Sequence, residues 1–121
     1  MQEASGPYPI SEVKFWVREN VPGVFIVGEE PNKPIYIGSS KTDMRQEIEK
    51  VAQGRTNFWF EFFASFSQVL LFRLQCKWYH DYYDSLHETD HPKPPINYEG
   101  LKCSVCGCQY GQKEFTHSYF R

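Results

Sequence analysis

The sequence predicts a small α/β fold in which a three-stranded sheet is flanked by helices. Its 121 residues suffice for one domain with a modest core, and they exclude a second full domain. Short segments of β-branched and aromatic residues alternate with segments whose apolar residues recur at helical spacing. The clearest strand is Gly-Val-Phe-Ile-Val at residues 23–27, which is bounded by Pro22 and Gly28.

The elements before and around this strand follow from turn and capping residues. Residues 1–9 are rich in glycine and proline, and they predict a flexible lead-in to a domain at residues 10–87. Ser11 is a typical helix N-cap, and the apolar residues after it predict a short helix that ends before Pro22. A second short strand at residues 35–38 follows a polar turn, so the two strands are predicted to form a hairpin.

A second helix is predicted to follow the hairpin. Thr42 or Asp43 can cap its first turn, because both side chains carry an oxygen that accepts a backbone hydrogen bond. Met44, Ile48 and Val51 then share one helical face. We expect this face to cover one side of the sheet.

An aromatic strand and a long helix complete the predicted domain. Residues 57–63 alternate their side chains between the two faces of the sheet, which predicts a strand packed on both sides. Ser65 or Ser67 can cap a long helix at residues 67–87. Its buried stripe is predicted to consist of Leu70, Leu74, Trp78 and Tyr82, with Leu71 and Leu86 widening it.

The remaining residues form a proline-rich connector at 88–100 and a cysteine-rich tail at 101–121 that we expect to pack on the domain. Lys+Arg number 13 against 15 Asp+Glu, so the chain has no overall basic charge to indicate a nucleic-acid partner. Its apolar stretches are interrupted by polar residues and are too short to cross a membrane. Residues 1–10 lack the features of a secretory signal, which predicts a soluble protein in the reducing cytoplasm.

Two short motifs on the predicted hairpin are typical of one enzyme family. The first strand carries Pro-Gly-Val-Phe at residues 22–25, and the second carries Ile-Tyr-Ile-Gly-Ser-Ser at residues 35–40. A helix follows the second motif, and a long helix follows the aromatic strand. With this order of elements, residues 21–97 resemble the GIY-YIG nuclease family.

The resemblance implies four catalytic positions, which together hold one divalent ion and activate a water molecule. Tyr36 matches the tyrosine of the second motif, but Phe25 stands where the first motif has its tyrosine. Arg45 lies one residue before the expected arginine, at a position that Gln46 occupies. Gln75 stands where the long helix has its metal-binding glutamate. Because three of the four positions are altered, we expect cleavage to be lost or strongly weakened.

The resemblance therefore predicts a nuclease-like protein that acts by binding DNA, RNA or a protein partner, the last through a tyrosine-rich surface. One alternative is an active endonuclease that cuts DNA with Mg²⁺ or Mn²⁺. Another is an inhibitor that binds a protein through this scaffold. The candidates for nucleic-acid contact are Lys41, Arg45, Lys50 and Arg55.

The cysteines and histidines predict a structural zinc site. Cys103 and Cys106 are separated by two residues and followed by glycine, which is the spacing of a zinc knuckle. Cys76 and His80 are four residues apart on the long helix, so their side chains share a face. Zinc bound by these four residues would hold the tail on the domain. Alternative ligands are Cys108 and His117 in the tail, and His87 and His91 before it.

Overall fold

The computed structural model describes residues 4–30, 32–87, 91–94, 100–103 and 105–107. It is a small α/β fold, as the sequence predicts. Its elements are β1 (Ser5–Pro9), a 3₁₀ turn (Ile10–Glu12), α1 (Val13–Trp16), β2 (Gly23–Gly28), β3 (Tyr36–Ser40), α2 (Met44–Val51), β4 (Trp59–Ala64) and α3 (Gln68–Asp81). None of the helices in these ranges is long and apolar enough to cross a membrane.

The sheet has four strands in the order β1-β4-β2-β3, and every neighbouring pair is antiparallel. The prediction of three strands was wrong, because Ser5–Pro9 pairs with β4 and does not form a flexible lead-in. Tyr8 lies opposite Phe60, and its ring is stacked on Trp16 with 4.1 Å between centroids. The two prolines of β1 are tolerated because an edge strand has one side without a hydrogen-bonding neighbour.

The two faces of the sheet carry separate apolar clusters. Alternate side chains of β4 enter opposite clusters, which confirms the predicted alternation. Helix α2 covers one face and helix α3 the other. The α2-side cluster contains Val13, Val17, Phe25, Val27, Met44, Ile48, Ala52, Phe58 and Phe60. The α3-side cluster contains Val24, Ile26, Ile37, Trp59, Leu71, Trp78 and Tyr79.

Both long helices begin at capping residues that the sequence identifies. The Asp43 side chain accepts a hydrogen bond of 3.2 Å from the backbone N–H of Gln46. The Ser67 hydroxyl likewise accepts one of 3.2 Å from Leu70. These bonds satisfy N–H groups that a helix start leaves without a partner.

Helix α3 ends at Asp81, six residues earlier than the predicted end at residue 87. The chain then turns toward the segment that precedes β3. The Ser85 hydroxyl donates to the carbonyl of Pro34 over 2.7 Å, and the His87 N–H donates to Ile35 over 2.8 Å. The helix does not continue to residue 87 as predicted, because these contacts with a distant segment replace the helical hydrogen bonds.

The buried side of α3 is wider than the predicted stripe. Besides the side that packs on the sheet, the helix buries Phe72 and Cys76 against Cys103 from the C-terminal segment. Trp78 is buried as predicted, while Leu70, Leu74 and Tyr82 are only partly buried. Helix α3 therefore lies between the sheet and the cysteine-bearing segment, which positions its last turn for the site described next.

Candidate metal centre

Two imidazoles and two thiols converge beside the C-terminal end of α3. His80 lies in the last turn of the helix, and His91 comes from the segment that follows it. Cys103 and Cys106 come from the cysteine-bearing segment. One ligand atom of each residue lies within 4.8 Å of the other three, so the group can hold a metal ion.

Two distances between ligand atoms in this group match those of a tetrahedral zinc site. The Nε2 atoms of His80 and His91 are 3.3 Å apart, and the Sγ of Cys106 is 3.5 Å from the Nε2 of His91. Zinc bonds of about 2.0–2.1 Å to nitrogen and about 2.3 Å to sulfur place two nitrogens about 3.3 Å apart and a nitrogen and a sulfur about 3.6 Å apart. The geometry is therefore compatible with zinc.

His91 is held in the tautomer that metal binding requires. Its Nδ1 lies 2.8 Å from the carbonyl oxygen of Pro92, which can only accept a hydrogen bond. Nδ1 therefore carries the proton, and the lone pair of Nε2 faces the other ligands. The Tyr79 ring meets the rings of both His80 and His91 edge-on, at 5.3 Å and 5.0 Å between centroids, and so fixes their orientation.

The two cysteines lie on a tight turn. The backbone N–H of Val105 points at the Sγ of Cys103 over 3.4 Å, and the N–H of Gly107 donates to the Cys103 carbonyl over 2.8 Å. Gly107 has φ of +76°, a left-handed conformation that favours glycine over residues with a Cβ. This turn places the sulfurs of Cys103 and Cys106 in the same group of ligand atoms.

The structure brings together three of the four residues that the sequence proposes as metal ligands, namely His80, Cys103 and Cys106. The fourth member of the group is His91, which the sequence offers only as an alternative. Cys76 is wholly buried one helical turn before His80, in the apolar cluster with Phe72 and Cys103. Cys108 and His117 lie outside the described residues.

Two of the four catalytic positions that the family resemblance implies, Phe25 and Tyr36, lie together on the α2 side of the sheet. The rings of Phe25 and Tyr36 are 6.2 Å apart, and Phe25 is wholly buried. A Cβ on Gly38 would lie 2.8 Å from Cε1 of Phe25 and 2.9 Å from Cε2 of Tyr36, which is too close for any side chain. Packing against two aromatic rings thus accounts for the glycine of the second motif.

The other two positions of the resemblance lie on helices that cover opposite faces of the sheet. Arg45 is on α2, and its guanidinium lies 3.7 Å from Glu49 and 4.0 Å from Glu19. Gln75 is on α3, which packs on the face away from Phe25 and Tyr36. The four positions are therefore not grouped on one side of the sheet.

The remaining candidates for nucleic-acid contact are spread along and beyond α2. Lys41 is exposed in the turn before the helix, and Lys50 pairs with Glu47 at 3.6 Å. Arg55 lies over the ring of Phe58, 5.1 Å from its centroid. The acidic partners of Lys50 and Arg45 within α2 thus reduce the positive potential that these two residues could offer a phosphate backbone.

Comparison of the chain with protein-family models, curated protein sequences and solved structures gave no match in any of the three. The functional argument therefore rests on the geometry above. His91 is the one member of the group that the sequence left as an alternative, and no local signal distinguishes it from His87, which follows the same helix.

Proposed function

We propose that this protein is a binding module on a GIY-YIG-like scaffold, held together by a structural zinc ion and without phosphodiesterase activity. The observation that carries this proposal is the convergence of four ligand atoms within 4.8 Å, from two histidines and two cysteines. A ligand set of two sulfurs and two nitrogens favours zinc over magnesium or calcium, which prefer oxygen ligands.

The number of protein ligands supports a structural role for the zinc. Catalytic zinc sites keep one coordination position open for water, whereas structural sites are closed by four protein ligands. His80, His91, Cys103 and Cys106 provide all four. The ion would tie the cysteine-bearing segment to the end of α3 and would activate no water molecule.

Three features support the loss of cleavage. Phe25 has no hydroxyl and is wholly buried, so it can neither hold nor pass a proton. Gln75 lacks the charge that makes a carboxylate a strong ligand for Mg²⁺. Arg45 already pairs with Glu49 and Glu19, which weakens its attraction for a phosphate.

The surface supports a protein as the partner more than a nucleic acid. The chain has a formal net charge of −2, and the basic residues of α2 have acidic neighbours on the same helix. In contrast, Phe15 and Phe66 are each 79% exposed, and Tyr83 is 57% exposed. Exposed aromatic side chains supply much of the binding energy in protein interfaces.

Native mass spectrometry of the full chain tests the zinc part of the proposal. We expect one zinc ion per chain, which a strong chelator removes. A chain that carries no metal after expression and reconstitution with zinc would contradict the structural site. The Cys106→Ser variant serves as the control and should carry no ion, because it lacks one of the four ligands.

A cleavage assay and a DNA-binding measurement test the proposed lack of phosphodiesterase activity and of nucleic-acid binding. Zinc-loaded protein is incubated with supercoiled plasmid and with single-stranded DNA, in Mg²⁺ and in Mn²⁺. We expect no nicking, and we expect no DNA affinity that falls steeply between about 50 and 200 mM salt. Robust nicking that Arg45→Ala abolishes would instead establish the active endonuclease.

A further inference from the structure

The two cysteines of the candidate metal centre differ in their exposure to solvent. Cys103 is 1% exposed and lies in the apolar cluster with Phe72 and Cys76. Cys106 is half-buried, and its neighbour Val105 is 54% exposed at the tip of the turn. Of the two cysteines, Cys106 is thus the one that borders on water.

The sulfurs of these two cysteines lie close to each other. Their distance is at most 4.8 Å, because the ligand atoms of the group all lie within that distance of one another. Both cysteines are on one turn, which the hydrogen bond from the Gly107 N–H to the Cys103 carbonyl closes. Two cysteines separated by two residues have the spacing of redox-active dithiols. A disulfide bond of about 2.05 Å then requires the two side chains to turn toward each other.

The thiols and the imidazoles of the site come from different parts of the chain. Cys103 and Cys106 both belong to the cysteine-bearing segment, whereas His80 belongs to α3 and His91 to the residues after it. A metal ion bound to all four therefore links the segment to the helix. A disulfide between the two cysteines would link the segment only to itself.

We propose that Cys106 and Cys103 form a peroxide-sensitive dithiol, whose oxidation to a disulfide expels the zinc ion and releases the cysteine-bearing segment from α3. This inference rests on the proposed zinc site and assigns to it a reaction with hydrogen peroxide. When the two sulfurs are joined, only the nitrogens of His80 and His91 remain as ligands. Two ligands hold zinc far less tightly than the four of a closed site.

The proposed reaction is balanced with hydrogen peroxide as the oxidant. The thiolate of Cys106 attacks one peroxide oxygen, the O–O bond breaks, and a sulfenic acid forms on Cys106 as hydroxide leaves. The thiolate of Cys103 attacks this sulfur, so that the S–S bond forms, the S–O bond breaks and a second hydroxide leaves. Each hydroxide takes up available protons to become water. Two electrons thus pass from the two sulfurs to the two peroxide oxygens.

Cys76 offers a second partner for Cys103, with the opposite consequence for the segment. It lies on α3, and it is wholly buried in the cluster that also holds Cys103. A disulfide between Cys76 and Cys103 would tie the segment to the helix. However, both of these thiols are buried, whereas Cys106 borders on water and its sulfur is within 4.8 Å of that of Cys103. The geometry therefore favours the pair that releases the segment.

Treatment of the zinc-loaded full chain with hydrogen peroxide tests this proposal. A chromogenic chelator measures zinc release, and mass mapping of the digested chain locates the disulfide. We expect one zinc ion to be released for each disulfide between Cys103 and Cys106, at a rate proportional to the peroxide concentration. Cys76 should stay reduced, and it should become open to alkylation under native conditions only after oxidation, because the segment that covers it has left.

A variant with two cysteines gives the matched comparison. The natural chain has four cysteines, and the Cys76→Ala, Cys108→Ser variant keeps only Cys103 and Cys106. It should bind one zinc ion and release it at the rate of the natural chain, with the loss of two hydrogens from its mass. A thiol reductant added together with zinc should restore the bound ion in both chains.

Several results would overturn the proposal. These are a disulfide that includes Cys76 or Cys108, zinc release with sulfinic or sulfonic acid in place of a disulfide, and Cys76 that stays closed to alkylation after zinc release. Retention of zinc and both thiols at a peroxide exposure that fully oxidises free cysteine would also overturn it. That last result, in a chain shown to carry zinc at the start, leaves the proposed function standing, whereas a chain that never binds zinc contradicts both.

Discussion

At the scale of single residues, His80 and Cys76 lie one turn apart on α3 but have different roles at the candidate metal centre. His80 contributes a ligand atom, while Cys76, one turn earlier, lies in the apolar cluster behind it. Both share a helical face, but Cys76 is buried against Phe72 and Cys103, whereas His80 lies with His91 and Cys106. Spacing along the helix alone cannot separate these two roles.

Substitution of His91 and of Cys76 should therefore have different effects. His91→Ala removes a direct ligand, so zinc affinity should fall by more than the ~10–100-fold that loss of an outer partner costs. Cys76→Ala should keep one zinc per chain and lose only about 1 kcal/mol of stability through packing. Competition with a chromogenic chelator measures the affinities. Equal zinc loss in the two variants would make Cys76 a ligand.

Glu61 should make stability depend on pH in a definite direction. Partial burial raises its pKa in the folded protein above the ordinary value of 4.5, so the folded state holds the proton more tightly than the unfolded chain. Its contribution to stability is thus fully present below that value and is lost as the pH rises through the raised pKa.

Glu61→Gln removes this dependence. We expect its free energy of unfolding, relative to the natural chain, to increase as the pH rises from below 4.5 through the raised pKa of Glu61, because the natural chain then loses the contribution of the protonated carboxyl. Urea denaturation at fixed zinc measures the difference. Glu29→Gln, at an exposed position, should follow the natural chain over the same range, and a Glu61→Gln curve parallel to that of the natural chain would refute the assignment.

At the scale of elements, the edge strand β1 is the main addition to the predicted fold. Tyr8 connects it to the rest of the molecule, because its ring stacks on Trp16 and also meets Phe60 and Phe62 at 5.7 Å and 6.4 Å. This strand therefore belongs to the α2-side core and is more than a lead-in.

Tyr8→Ala should test that role. We expect the free energy of unfolding to fall by about 2–3 kcal/mol, because a half-buried aromatic ring and its stacking partner lose contact. Phe15→Ala is the control, since Phe15 is 79% exposed and its loss should change stability by less than about 0.5 kcal/mol. Chemical denaturation of the zinc-loaded chain measures both, and equal effects would contradict the role given to β1.

Local sequence signals predicted those elements whose cause is itself local. β2 is bounded by Pro22 and Gly28, and α2 and α3 begin at the capping residues Asp43 and Ser67. What could not be predicted depends on contacts between distant segments. Pairing with β4 makes a strand of Ser5–Pro9, and hydrogen bonds to the segment before β3 end α3 early.

The ligands of the candidate metal site likewise divide into those that local sequence signals identify and one that they do not. The knuckle spacing of Cys103 and Cys106 identifies two ligands from sequence, and helical position identifies His80. His91 could not be chosen from several candidate histidines and cysteines, because its place beside His80 and Cys106 depends on contacts between separate segments.

At the scale of the whole molecule, two parts are stabilised by different interactions. One part is the sheet with α2 and α3, and the other is the segment that bears Cys103 and Cys106. The sheet is covered by an apolar cluster on each face. The segment that bears Cys103 and Cys106 has only a small cluster, in which Phe72, Cys76 and Cys103 are buried. Because this cluster is small, the ion that we propose would supply much of the stabilisation of this segment.

Zinc removal should therefore destabilise the segment that bears Cys103 and Cys106 and leave the sheet folded. At a zinc concentration about 1,000 times the dissociation constant, binding adds about 4 kcal/mol, so a chelator should lower the melting temperature by several degrees or more. Hydrogen exchange should then speed up at Cys103 and Gly107, while Phe25 in β2 stays protected, because its hydrogen bonds lie inside the sheet. In the His91→Ala variant, the chelator should change neither the melting temperature nor the hydrogen-exchange rates. Loss of protection throughout β2 on chelation would instead show that the sheet itself depends on the metal.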